Sequence, residues 1–546
     1  MTEAAPAPSN DETDDSLPQA VTGLAEVLGT GRHRALGQLY VGFALVFLVT
    51  IALLSLFLGI ERFDTASFGL FDDAEMFEQV FSLTRAGLVF LVILPLTLGL
   101  AFVVLPLQIG ARTIAFPRAA AASFWGWLVS SGIFIAAYAV NGGPVGGRSD
   151  GIELWLLSLM AIVVSLLLGT ISAVTTVLTM RTKGMSLDRA PLFAWSMVVG
   201  GTVWLASLAV LLANLLVAYV GFRYNSNLVP DGSIWSQVSW AFGQPQVFAY
   251  AVPALGIVAS VAPTFSGTRL RPHWVGVAAI GLFGVLGFGA YAQNFFSSSN
   301  FQDEFLFVAD GLLVALPVLA ILGLCIDTMR RGRPQLSEPA MIFSLGGLLL
   351  ILAGSVVAGL QVIWPLEASL AEATDDGWNL GYAIADGQAN FVLLGALMVL
   401  LGGLYYWEPN MSGRLLGRPL GLVASGLFLL GTLFLALPDV ISGFLDQPAL
   451  PVQLPNLDGG AEAMNAVALV GPVLLVLGAL VVLFDVLFNG AASVGAKAGN
   501  DPWNGQTLEW SISSPAPPGN FAELPTVRSE TPLFDGEPAT DESEEA

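Results

Sequence analysis

Twelve long apolar runs constrain this chain more than any other feature. They fall at about 37–59, 86–109, 119–141, 152–180, 191–222, 236–264, 272–298, 304–328, 339–363, 379–407, 416–437 and 464–488. A helix rising about 1.5 Å per residue needs roughly 20 residues to cross about 30 Å of hydrocarbon, and each run reaches that length. Hydrocarbon cannot hydrogen-bond exposed amides, so segments this apolar must be helices. The expected fold class is therefore an all-α polytopic membrane protein with twelve transmembrane helices. Only 11% of the 546 residues are charged and the mean hydropathy is +0.74, which excludes a soluble enzyme, a nucleic-acid binder and a disordered chain.

The ends differ from the middle. Residues 1–31 are rich in Ala, Pro, Ser and acid, lack the basic and apolar regions of a signal peptide, and read as a disordered acidic N-terminal tail. Residues 32–490 form the membrane domain. Residues 491–546 form a C-terminal tail, rich in Gly, Pro, Ser and acid and largely irregular. An even number of spans puts both termini on one side. Assigning the loops alternately places fifteen Lys and Arg on that side, including Arg32, Arg34, Arg112, Arg118, Arg181 and Arg414, against Arg62, Arg148 and Arg223 on the other. That asymmetry predicts cytoplasmic termini in a cell membrane.

Chemistry is restricted by scarcity. One cysteine, Cys325, excludes a disulfide framework or a CxxC site and reads as an ordinary buried thiol. The two histidines, His33 and His273, lie at cytoplasmic helix starts or loops and read as surface residues. Eleven scattered methionines form no paired arrangement and read as core filler. Trp125, Trp240 and Trp407 fit interfacial belts, and Glu408 beside Trp407 reads as solvated.

Four strings carry a resemblance. They are Leu105-Pro-Leu-Gln-Ile-Gly-Ala-Arg112 with Ala115-Phe-Pro-Arg118; Trp240-Ala-Phe-Gly-Gln-Pro-Gln-Val-Phe248; Gly403-Leu-Tyr-Tyr-Trp407 with Pro409-Asn-Met-Ser-Gly-Arg414; and, in the tail, Asp501-Pro-Trp-Asn504 with Thr507-Leu-Glu-Trp510. In this order and spacing they resemble subunit I of the heme–copper oxidases, the cytochrome c oxidase type, over roughly residues 32–527. The resemblance implies a twelve-helix bundle in which six histidines hold two hemes and a copper.

None of those histidines is present. By position, the low-spin heme ligand on the second helix is Thr84. The family's H-P-E-V-Y reads Gln244-Pro-Gln-Val-Phe248, so a copper ligand becomes Gln244, the proton-passing Glu becomes Gln246, and the cross-linked Tyr becomes Phe248. The other copper ligands become Gln293 and Asn294. The H-F-H on the tenth helix reads Gly387-Gln388-Ala389. Residues implied to hold heme propionates fall at Ala449 and Leu450. Those of the proton paths fall at Phe102, Thr113 and Leu313. Gln, Asn and Thr are poor ligands for copper and heme iron.

The expectation is a chain that binds no heme, copper or other metal. It would serve as a non-catalytic subunit, scaffold or regulator of a respiratory-type complex with subunit II- or III-like partners and no nucleic acid. Two rivals stand: a working terminal oxidase, and a transporter or lipid- or quinone-binding protein using the emptied interior. Arg85, Gln246, Asp310, Asp386, Gln388 and Asn390 are candidates for a remodelled polar pocket in which Arg85 pairs with Asp386 or Asp310. A mutually satisfied structural cluster is the simpler reading. Glu367, Asp375 and Asp376 form an acidic outer loop, readable as a docking patch for a basic partner or as a solvated face.

Overall fold

The computed structural model describes residues 30–63, 69–71, 73–224, 234–292, 301–363, 383–444 and 459–536. Gln293, Asn294, Glu367, Asp375, Asp376, Ala449, Leu450 and most of the N-terminal tail lie outside them. Among the described residues, twelve helices are long and apolar enough to cross a membrane. They are α1 (His33–Glu61), α2 (Ala74–Gln108), α3 (Pro117–Ala139), α4 (Ser149–Thr179), α5 (Leu192–Tyr224), α6 (Ser239–Ser266), α7 (His273–Ala292), α8 (Phe305–Arg331), α9 (Pro339–Ile363), α10 (Ala383–Ser412), α11 (Arg418–Gly443) and α12 (Glu462–Ala491). The twelve expected spans are thus present. The largest shift is at α2, which starts twelve residues earlier than its apolar run because Asp73 caps it, accepting from the Met76 amide at 2.9 Å. Arg85 therefore sits inside a helix rather than at its start.

Three helices form the centre. The most apolar stretches of α2 and α10 are fully buried, and that of α6 is 94% buried. All three carry helix-interior prolines: Pro95 and Pro106, Pro253 and Pro263, and Pro409. Pro95 has no amide to donate, and the helix widens to a π turn over Leu88–Ile93 just before it. Helix α10 meets α9 backbone to backbone: a Cβ on Gly347 would fall 2.5 Å from the Gly395 carbonyl oxygen. Small residues permit this approach, which in a bilayer replaces hydrophobic driving force with dispersion contact.

The C-terminal segment has almost no regular structure, yet it packs across one end of the bundle. Trp503 Nε1 donates to the Tyr406 carbonyl at 3.0 Å and Trp510 Nε1 to the Tyr406 hydroxyl at 2.9 Å. Gln506 Nε2 donates to the carbonyls of Pro263 (3.2 Å) and Thr268 (3.0 Å). Asn520 Nδ2 reaches the Ala111 carbonyl at 2.9 Å, and the Val527 amide the Lys183 carbonyl at 3.0 Å. Loop carbonyls and helix ends left open by the bundle are met by this segment.

That packing corrects several expectations. His33 is buried, its Nδ1 2.8 Å from the Phe102 carbonyl oxygen and its Nε2 3.1 Å from Asn520 Oδ1, because the tail covers the start of α1. His273 is half-buried rather than on the surface. Trp407 is fully buried, not interfacial, packed on Phe193 with ring centres 4.8 Å apart. Trp240 is buried, with Phe242 beside it. Glu408 is buried where α12 crosses α10, its Oε1 facing Gly490. Cys325 is buried as expected.

Candidate functional site

The polar residues near the family's cofactor positions divide into two groups at the end of the bundle opposite the tail. On one side, Arg85 on α2 faces α10. Its Nη2 lies 2.6 Å from Asp386 Oδ1, and its Nη1 donates to Asn390 Oδ1 at 2.8 Å. Asp386 and Asn390 are four residues apart and so share a helix face. Asn390 Nδ2 reaches Asp439 Oδ2 on α11 at 3.5 Å, and Asp439 Oδ1 accepts from Arg62 Nη2 at 2.8 Å. Arg62, just after α1, also donates to Asn465 Oδ1 at 3.4 Å. Five helices are thus tied by two arginines and two aspartates whose charges cancel. Cross-pairing of this kind is what allows ionised groups to remain in a bilayer.

On the other side, Gln246 donates from Nε2 to Ser207 Oγ at 2.9 Å and accepts the Gly289 amide at 3.0 Å through Oε1. Asp310 on α8 accepts from Gln244 Nε2 at 3.3 Å. Asp310 is therefore not a partner of Arg85, and the single pocket expected to unite Gln246, Asp310 and Gln388 with Arg85 is not formed. The direction of each side chain on its helix decides this. Gln388, two positions from Asp386, is turned away from it by the helical step, and its Nε2 has no hydrogen-bond partner among the described residues. Arg62 and Asp439 were not among the expected site residues. Charges at helix ends look like loop residues in a sequence, and only the pairing places them in the cluster.

Among the described residues, two of the implied ligand positions, Gly387 and Ala389, are closely packed. Thr84 Oγ1 is turned back onto the Val80 carbonyl at 2.7 Å. A Cβ on Gly387 would fall 2.7 Å from the Ala436 carbonyl oxygen and 2.9 Å from the Val440 amide nitrogen, so α11 rests directly on this position. Ala389 is 3% exposed, and Phe248 is fully buried edge-to-face on Phe283. The space left beside Thr84, Arg85, Asp386 and Asn390 is a cavity of about 90 Å³, with an apolar flank that includes Leu88, Leu394 and Leu397. Pockets that take small organic ligands run to roughly 300–1,000 Å³.

The central α2, α6 and α10 carry three of the four strings, and the tail that closes the bundle carries the fourth. The profile described as "Cytochrome C and Quinol oxidase polypeptide I" matches residues 35–474. The chain belongs to that family. It is 28% identical to the putative cytochrome c oxidase subunit 1-beta of Streptomyces coelicolor, covering 97% of this chain and 92% of that protein. It is 27% identical to cytochrome c oxidase subunit 1 of Bacillus subtilis, over 94% and 83% of the two chains. It is 28% identical to the heme-copper oxidase subunit I+III of Aeropyrum pernix, over 93% of this chain and 63% of that longer protein. The chain is thus a heme–copper oxidase subunit I-like, multi-pass membrane protein.

Proposed function

We propose that this oxidase subunit I-like chain carries no heme and no copper and acts as a non-catalytic subunit, scaffold or regulator in a respiratory-type complex of the plasma membrane. One observation carries the reading. The implied ligand positions hold Thr84, Gln244, Gln293, Asn294, Gly387 and Ala389, and at Gly387 there is no room even for a methyl group against the α11 backbone. These residues do not fit the implied groups: two lack any donor atom, and amide and hydroxyl oxygens are weak ligands where imidazole is needed. The Arg85–Asp386 and Arg62–Asp439 pairs support the same reading, because they set charge against charge beside the Thr84 position.

Subunit II- or III-like chains are the partners this reading assigns, because subunit I-like proteins of this family imply complexes with other oxidase subunits. The end that carries the tail is assigned to the cytoplasm, following the Lys and Arg bias.

An absorption spectrum of the purified chain, with iron and copper counted by mass spectrometry, tests the proposal. The expected result is no Soret band and less than stoichiometric metal. Stoichiometric heme and copper would overturn it and restore the terminal-oxidase reading.

A further inference from the structure

The tail carries a buried carboxyl whose hydrogen bonding is half complete. Glu509 stands in the short turn Leu508–Trp510 and is fully buried against the bundle. Its Oε1 accepts from Gln108 Nε2 on α2 at 2.9 Å and from Trp407 Nε1 on α10 at 3.3 Å. Its Oε2 has no hydrogen-bond partner among the described residues, and neither has Gln108 Oε1. Two other buried acids make the contrast. Glu61 accepts the Gly69 amide on one oxygen and the Leu70 amide on the other, both at 2.8 Å. Asp485 accepts the Tyr405 hydroxyl on one oxygen (2.7 Å), and the Gly417 amide (2.9 Å) and Asn489 Nδ2 (2.6 Å) on the other.

An ionised carboxylate only accepts, so in that form Glu509 Oε2 and Gln108 Oε1 would both be buried without a donor. A bare buried oxygen is costly, and a charged one more so. One proton on Oε2 turns the carboxyl into a donor and removes its charge. No cation takes that part: the groups acting on Glu509 are Gln108, Thr507, Trp407 and its own amide, with no Lys, Arg or His among them. Tyr406 is the titratable neighbour on α10, near both Glu509 and Asp501. Its hydroxyl is already shared with Trp510 (2.9 Å) and Thr264 (3.0 Å), and Asp501 is held by the Trp503 and Gly505 amides. Burial holds the Glu509 carboxyl above the ordinary carboxylate range, against the opposing pull of those four groups.

We propose that Glu509 is a proton-operated latch: the tail docks on the bundle with Glu509 as the neutral acid, and loss of that proton releases the tail around it. The proton is taken from water on docking and returned to water on release, and no covalent bond to any other group is made or broken. In the released tail the side chain is solvated and titrates at its ordinary value, about 4.5. Docking is therefore strongest below that value. It weakens as pH rises from there through the higher value of the docked state, by at most about tenfold per pH unit for one proton. Release uncovers Gln108, Tyr406 and Trp407 at the ends of α2 and α10, and frees the Pro263 and Thr268 carbonyls that Gln506 holds. The tail is thus a cover whose grip follows the pH on its side of the membrane.

The test is hydrogen exchange of the full chain in lipid nanodiscs, read by mass spectrometry from about pH 5 to about pH 9. Glu509→Gln, which keeps a neutral side chain of the same shape, is measured beside the parent at each pH. The ratio of the two removes the pH dependence of the exchange chemistry itself. The expected result is that opening of the tail around residue 509 rises in the parent relative to the variant, by up to about tenfold per pH unit, while the helices stay protected. Glu509→Met should lack the same pH dependence from a weaker baseline, and it serves if Glu509→Gln does not fold. An infrared carbonyl band of a carboxylic acid, present in the parent and missing from either variant, is the second expected sign. A parent-to-variant ratio constant at every pH would overturn the proposal. So would helix amides opening together with the tail, because the proton would then belong to the whole bundle rather than to the cover.

Discussion

The two ends of the bundle bury polar groups by different means. At the end opposite the tail, Arg85, Asp386, Asn390, Asp439 and Arg62 pair with one another across helices, and full charges cancel within the cluster. At the tail end, the partners come from an added layer of chain. Tyr406, Gln108 and Trp407 meet Trp510 and Glu509. Most of the first group stands near positions where the family resemblance implies cofactors. Tyr406, Trp407, Glu509 and Trp510 stand in the strings that carry the resemblance. The first group is thus held by ion pairs between helices, and the second largely by hydrogen bonds between the bundle and the tail.

The comparison breaks most sharply at Arg85. Arg85→Met strands Asp386 in the bundle and should cost about 3–5 kcal/mol, with Arg85→Met/Asp386→Leu recovering most of it. Equilibrium unfolding in mixed micelles measures both, and a loss below about 1 kcal/mol in the single variant would mean the pair is not what holds that end. Next is Gly387→Ala, where the added methyl meets α11 backbone. A loss of about 1–3 kcal/mol is expected from overpacking, and an unchanged melting temperature would show that α10 and α11 separate freely there.

At the tail end, Tyr406→Phe removes the hydroxyl shared by Trp510 and Thr264. About 1–3 kcal/mol should be lost. Limited proteolysis should show the tail released before the helices, whereas simultaneous cleavage would merge the two regions into one cooperative unit. The smallest effect is at Glu509, which is fully buried and accepts from Gln108 Nε2 at 2.9 Å. Burial holds its carboxyl above the ordinary carboxylate range. The folded chain therefore keeps a proton that the unfolded chain releases, and stability falls as pH rises from the unfolded value through the folded one. Glu509→Gln should match the parent at acid pH and exceed it above that window. Parallel pH–melting curves for the two proteins would remove Glu509 from the account.

Much of this molecule was legible in the residues alone. Twelve apolar runs required twelve helices because hydrocarbon leaves the backbone no other way to bond. The strings from Leu105 to Trp510 pointed to the family, and the pairing of Arg85 with Asp386 was one of two pairings expected. The tertiary structure decided what one-dimensional spacing cannot encode. It turned Asp310 toward Gln244 rather than Arg85, brought the helix-end charges Arg62 and Asp439 into the cluster, and buried His33, Trp407 and Glu408. It did so because burial depends on which chain covers a residue. Here the cover is an irregular tail whose composition reads as solvent-exposed and whose contacts are set by the helix ends beneath it.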